Sequence, residues 1–347
     1  MRYINQKEFE KLNIIHWHKN GYTGKGIKVA NFESANTNLH YLNNVRDPFG
    51  ICDSNYKNRH GNKTLDVITQ VAPDSQFYIL PTSLQQNFNG TKGDMVGKTI
   101  PFLHQEKIHL INASLIGNQI KKIDDSFRKL QKQGTTFVTS AGNSGDKGMG
   151  SYATSGIWIS VGAVGLNKDG SIYKKSYSST GEKLFTTSFS GLNIHDSRKG
   201  YEDRTFPEEG TSFSSPLLCG MLALVQQFFL EKIGRALNQS ELMNFIKDNS
   251  IDLGDEGKDI EYGHGLFVLP NIDTINLKDY IYNDNNKGDV KMEFKDVDKN
   301  RWSYKNIKKV TDLGIMNGYP DETFKPNGQV TREELATVIV NLLNKIK

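Results

Sequence analysis

Cysteine is nearly absent: 347 residues include only Cys52 and Cys219. Two thiols argue against a disulfide framework, and Cys219, inside an apolar run, reads as a buried thiol and not as a nucleophile. No run of about 20 apolar residues occurs, which predicts no membrane span. The opening segment, Met1 to Glu10, carries charges throughout and lacks the apolar stretch of a secretory signal. Neither sign of charge dominates, with 43 basic and 39 acidic side chains for a net +4. No nucleic-acid-binding face is therefore expected, and pairs such as Lys121-Lys122 and Lys308-Lys309 read as solvated faces. What is left is a polar-surfaced chain long enough for one large domain and one small one.

The pattern along the chain alternates. Apolar, β-branched stretches predict strands at 27–32, 77–81, 109–115, 135–140 and 159–164. Helical spacing predicts helices at about 8–19, 62–70, 94–106, 122–132, 211–231 and 239–247. Alternating strands and helices predict an α/β fold, a mostly parallel sheet with helices on both faces. The ligand crevice of such a sheet lies beyond the carboxyl ends of its strands. Glu33 and Asn143 fall just after predicted strand ends and Ser114 near one, as a shared cleft requires.

The most informative stretch is Gly210-Thr211-Ser212-Phe213-Ser214-Ser215-Pro216, followed by the apolar run Leu217 to Phe229. It sets a small hydroxyl on a glycine turn where a buried helix begins, facing that helix's unpaired N–H groups and positive dipole end. Pro216 sits in the first turn, where its missing N–H costs little. In isolation the triplet Gly-Thr-Ser reads as a helix N-cap.

Its company changes that reading. GTSFSSP resembles the nucleophile motif of the subtilisin-like serine proteases, the subtilases. Three further segments match that family in its order of acidic residue, histidine, serine: Gly21 to Glu33, His60-Gly61 followed by a helical stretch and Val71-Ala-Pro-Asp74, and Phe137-Val-Thr-Ser-Ala-Gly-Asn143. Ile111-Asn-Ala-Ser-Leu115, Val161-Gly-Ala-Val164 and Tyr262-Gly-His-Gly-Leu266 are smaller echoes. The resemblance covers roughly residues 10–270. It implies a serine endopeptidase acting on protein or peptide, with Ser212 as nucleophile and His60 as its base. Glu33 would orient the imidazole, and Asn143 would be the oxyanion donor. Ser114, Leu115 and Ile116 resemble the edge segment that pairs with an extended substrate. No cofactor is implied; structural calcium is common in the family, although no acidic cluster here has ligand spacing for it.

The chain departs from the family at two of these places. Glu33-Ser34-Ala35 stands where the family has Asp followed by Ser/Thr-Gly, and Ile116 stands where it has Gly, which predicts a narrowed S1 pocket. The extra methylene of Glu33 shifts its carboxylate by roughly 1 Å, enough to cost on the order of 10² in rate. From sequence alone, Glu33→Asp is therefore expected to raise turnover. Asp66, on the helix after His60, resembles no triad position. The family's folding propeptide has no room ahead of Gly21, so the resemblance is to an intracellular or non-classically released member, made in the cytoplasm and wall-associated after release. Glu33 and the missing propeptide keep a second reading open: a catalytically impaired pseudoprotease that binds protein as a regulator or wall-associated scaffold.

The tail reads differently. Residues 276–291 are Asn/Asp/Lys-rich and predict a linker between a domain at 1–275 and a module at 292–347. Phe294-Lys-Asp-Val297, Trp302, Gly318-Tyr-Pro-Asp321, Phe324-Lys-Pro326 and Thr331-Arg-Glu-Glu334 resemble one S-layer homology module, a small, mainly helical unit. Thr331 and Glu334 have the spacing of a capping box. The resemblance implies binding of secondary cell-wall polysaccharide in a Gram-positive or phage setting, through Trp302 and Arg332. Such modules occur in threes, so a lone copy implies either weak binding or self-association of three chains through it.

Overall fold

The computed structural model describes residues 3–33, 44–50, 59–81, 95–115, 121–198, 201, 203–281, 294–298, 300–312, 315–316, 318–319, 321 and 323–346. The chain divides into two compact units, Met1–Ile275 and Asn276–Lys347. In the first unit the strands are β1 (Lys28–Phe32), β2 (Val45–Arg46), β3 (Gln76–Leu80), β4 (Leu110–Ala113), β5 (Thr136–Ser140) and β6 (Ile159–Leu166). After them come β7 (Ile172–Lys174), β8 (Thr186–Phe189), β9 (Leu192–His195), β10 (Thr205–Glu208), β11 (Ser250–Ile251) and β12 (Leu266–Phe267). Its helices are α1 (Gln6–Lys11), α2 (Ile14–Lys19), α3 (His60–Val71), α4 (Ile100–Glu106), α5 (Lys121–Lys132), α6 (Ser151–Thr154), α7 (Thr211–Ile233) and α8 (Gln239–Asp248).

The main sheet runs β11-β12-β8-β6-β5-β4-β1-β3-β2, with β7 antiparallel on β6 and a separate β9–β10 hairpin. From β2 through to β12 every neighbour is parallel. β1 lies between β3 and β4, so chain order reverses there, and the switch point opens a crevice beyond the carboxyl ends of β1 and β4. Side chains alternate across β1. Ala30 and Phe32 enter a core with Phe127, Phe137 and Trp158, where Phe137 and Trp158 meet edge to face at 5.0 Å. Asn31 and Glu33 take the opposite face.

Two predicted helices differ in the structure. The one expected over 8–19 is broken at Asn13, whose φ of 61° is left-handed, an excursion that Asn tolerates better than most residues. Its Nδ2 donates to the Leu269 carbonyl at 3.0 Å and Trp17 Nε1 to that of Pro270 at 2.8 Å, so a tertiary anchor overrides helical spacing. In place of one helix over 94–106, a π turn at Met95–Thr99 leads into α4 with Pro in its first turn; residue 94 lies outside the described residues. The short strands β2 and β7–β12 have no counterpart in the sequence pattern.

By length and apolarity alone α7 would cross a bilayer, but it is enclosed by the sheet and by α3. Cys219 is buried in it, and burial pushes its thiol far up, which keeps it protonated and unreactive. Contact between α3 and α7 depends on Gly220: a Cβ there would lie 2.7 Å from Val71 Cβ and 3.3 Å from the Ile68 carbonyl oxygen. Since α3 begins at His60 and α7 contains Ser212, this approach sets the distance between the two candidate catalytic segments. Gly220→Ala is expected to lower stability by about 1–3 kcal/mol through overpacking. Urea unfolding measures it, and an unchanged midpoint would mean the helices have slack.

In the second unit, α9 (Leu277–Ile281) falls within the segment expected as a linker, whose residues 282–291 lie outside the described ones. It also contains α10 (Tyr304–Asp312) and α11 (Arg332–Ile346). The Asp296 carboxylate accepts from the backbone N–H groups of Phe324 and Lys325, both at 2.8 Å, and the Phe294 and Phe324 rings meet at 5.2 Å. The capping box of α11 is formed: Thr331 N–H donates to Glu334 Oε2 at 2.7 Å and Glu334 N–H to Thr331 Oγ1 at 3.1 Å.

Candidate active site

Glu33 follows β1 directly and is buried, with 1% of its surface exposed. His60 is the first residue of α3, and its Nδ1 lies 3.1 Å from Glu33 Oε1. The longer acidic side chain reaches the imidazole. Burial pulls the His60 pKa down, but the hydrogen bond and the charge of Glu33 push it up by more, so it sits above its ordinary value. Lys63, one turn along α3, lowers it, and Glu208, the ion-pair partner of Lys63, raises it.

Ser212 stands in the first turn of α7, half-buried. Its neighbour Phe213 meets the His60 ring edge-on with centroids 6.1 Å apart, so the segments bearing residues 60 and 212 converge. The Ser212 hydroxyl donates to the Ser114 carbonyl at 3.2 Å, which places Ser114, at the end of β4, beside it. Leu115 is half-buried next to it, and Ile116 lies outside the described residues. Gly210 holds the turn at φ 135°, a conformation side chains rarely adopt. Its N–H faces Ser190 Oγ at 2.9 Å and Tyr177 Oη at 3.1 Å, and those two hydroxyls are 2.7 Å apart. Nothing in the sequence marked Tyr177 or Ser190, since their contact with the turn is purely tertiary.

Asn143 lies three residues beyond β5. Its Oδ1 accepts from the Thr211 backbone N–H and hydroxyl, both at 2.9 Å. An N–H can only donate, so the oxygen of the amide is fixed, and its Nδ2 would lie 3.3 Å from a Cβ placed on Gly210. Asp66 is engaged away from His60, with its carboxylate 3.0 Å from His195 Nδ1 and accepting the His195 N–H at 2.8 Å. Among the described residues no three His, Cys, Asp or Glu side chains come together to hold a cation.

In the second unit, a cavity of about 360 Å³ is lined by Tyr319, Phe324, Lys325, Glu334, Thr337 and Asn341, among others. The Lys325 ammonium lies over the Tyr319 ring at 4.2 Å, and the Tyr319 hydroxyl donates to Glu334 Oε1 at 2.8 Å. Neither Trp302, 85% exposed, nor the exposed Arg332 lines it. Tyr319 and Lys325 lie inside the motifs at 318–321 and 324–326 that carried the resemblance, but no binding role was read for them from sequence.

Residues 27–265 match the model of the subtilase family. The chain belongs to that family. Residues 293–336 of this subtilase match the S-layer homology domain. The minor extracellular protease Epr of Bacillus subtilis is 27% identical over 278 residues, covering 76% of this chain and 41% of that protein. The chain thus spans about two fifths of that relative. Cell surface glycoprotein 1 of Acetivibrio thermocellus is 43% identical over 54 residues, covering 16% of this chain and 2% of that protein. A crystal structure of a lanthipeptide protease aligns with TM-score 0.57 at 18% identity over 74% of this chain and 93% of its own. That likeness concerns the fold alone.

The carboxylate–imidazole pair can be tested without any turnover. Followed by NMR, His60 should titrate above 6.5, the ordinary imidazole value, and in Glu33→Gln below it, because burial remains while the charge is gone. The sign for stability follows: the pair stabilises the fold below the unfolded imidazole's pKa, and that contribution fades as pH rises through the folded value. An unshifted titration in Glu33→Gln would rule out the coupling.

Proposed function

We propose that this subtilase is a serine endopeptidase with a Ser212-His60-Glu33 triad, attached to cell-wall polymer through its second unit. The observation that carries it is the 3.1 Å contact between Glu33 and His60 beside the first turn of α7. An extended peptide lies along Ser114 and Leu115 as an added strand, its scissile carbonyl over Ser212. The Ser212 hydroxyl exchanges its bond to the Ser114 carbonyl for one to His60. The imidazole takes the proton as the oxygen attacks, and Glu33 stabilises the resulting cation. The oxyanion is held by Asn143 Nδ2 and the Ser212 N–H at the positive end of α7. His60 returns its proton to the leaving amine, and a water activated by the same imidazole then hydrolyses the acyl-enzyme. With Glu33 holding the His60 pKa above its ordinary value, the acid limb of activity is expected above that value too.

For the second unit, the cavity beside Lys325 and Tyr319 suits an anionic sugar polymer, with a cation for the acid group and an aromatic face for the ring. Trp302 and Arg332, exposed elsewhere on that unit, add a ring and a guanidinium for the same polymer. Self-association of the module is the companion proposal, since α11 leaves Leu335, Ile339 and Leu343 about half exposed.

A fluorophosphonate probe should label the protein and fail to label Ser212→Ala. Asn143→Ala should keep the labelling site but lose about 10²–10³ in kcat with KM little changed, the loss known for removal of the corresponding donor in subtilisin itself. Absence of labelling in the parent chain would turn the reading toward a protein-binding pseudoprotease. For attachment, the full chain should sediment with purified Gram-positive cell walls, and a chain ending at residue 291 should stay in solution. Equal sedimentation of both would remove the anchoring role.

A further inference from the structure

Beneath the proposed triad a row of buried polar side chains crosses the switch point. Asn31 and Asn112, register partners on β1 and β4, are both fully buried. Asn31 Nδ2 donates to Thr64 Oγ1 at 3.0 Å and to the Gly61 carbonyl at 3.3 Å, both within the first five residues of α3. Its Oδ1 accepts from Asn112 Nδ2 at 2.9 Å, and that group also donates to Ser114 Oγ at 3.0 Å. The Asn112 Oδ1 in turn accepts from Oγ of Ser215, the fifth residue of α7, at 2.5 Å. A single relay thus joins the start of α3, which His60 opens, to the start of α7, which contains Ser212. Every donor and acceptor of the two amides that the relay needs is used.

Asn31 and Glu33 are two residues apart on one strand, so their side chains leave the same face. One grips Gly61 and Thr64; the other meets His60. The first turn of α3 is therefore held off β1 by an amide side chain at one point and must be bridged by a carboxylate at the next. We propose that Asn31 is a positioning residue that fixes this standoff, and that the standoff is what requires glutamate rather than aspartate at position 33. The inference rests on the triad reading given above. An aspartate would draw its carboxylate back by roughly 1 Å, taking the 3.1 Å contact out of hydrogen-bond range. With the Asn31 grip released, the turn can settle toward β1 and meet the shorter side chain.

The test is a double-mutant cycle on the full chain, reading kcat/KM on a chromogenic peptide and the His60 titration by NMR. Glu33→Asp in the parent should lose on the order of 10² in kcat/KM and lower the His60 midpoint. In the Asn31→Ala background the same change should cost less than about threefold and move the midpoint far less, a coupling that only non-additive sites show. Thr64→Val, which keeps the shape but removes the acceptor, should shrink the loss in the same direction and serves if Asn31→Ala does not fold. An equal loss in all backgrounds would overturn the role of Asn31 and leave the triad standing. Insensitivity of both readouts to Glu33→Asp and Glu33→Gln would instead bring down the triad reading, and this inference with it.

Discussion

A carboxylate with 1% of its surface exposed, set against an imidazole, is the constraint around which the cleft is arranged. Burying a charge costs several kcal/mol unless partners replace the lost water. Glu33 is set against the His60 imidazole, supplied from α3, at 3.1 Å, which ties the start of α3 to it. His60 must stay where the carboxylate is, and α3 must stay where His60 is. The close approach at Gly220 then transfers that position to α7, and hence to Ser212. Position passes from one charge to a helix, and from that helix to a second.

The turn before α7 is held by a different means. Gly210 supplies a backbone angle that other residues avoid, and its N–H is aimed at two hydroxyls from Tyr177 and Ser190. Asn143 is locked by Thr211, which immediately precedes Ser212. The proposed nucleophile and the proposed oxyanion donor are thus tied through one intervening residue. A shift of either would carry the other with it, which preserves their geometry relative to a bound carbonyl.

What could be read from sequence follows from where the information lies. The strands at the middle of the sheet, β1, β4, β5 and β6, are buried along nearly their whole length and appear as stretches rich in apolar and β-branched residues. α7 is legible for the same reason. β8, although buried, is written Thr-Thr-Ser-Phe, with the Thr186 and Thr187 hydroxyls both donating to the Gly265 carbonyl, so no apolar signal marks it. Ser212, His60, Glu33 and Asn143 were legible only through an ordered resemblance, because the individual residue types occur throughout the chain. The reach of Glu33 was not legible at all. Whether one methylene helps or harms depends on the separation of β1 and α3, a distance that local sequence does not encode.

Asn31 shows how such a distance can nonetheless leave a mark. An amide between Ala30 and Phe32 in a central strand interrupts an apolar run where valine or isoleucine would cost less to bury. Its tolerance requires partners for both ends of the amide, and two separate elements, α3 and β4, provide them. An apolar replacement could fill the space yet would leave the first turn of α3 free to choose among several depths. A fully satisfied polar relay permits one. The polar residue out of place in an apolar strand is therefore the trace in sequence of a separation fixed in three dimensions, and the length of the acidic side chain two residues later is its counterpart.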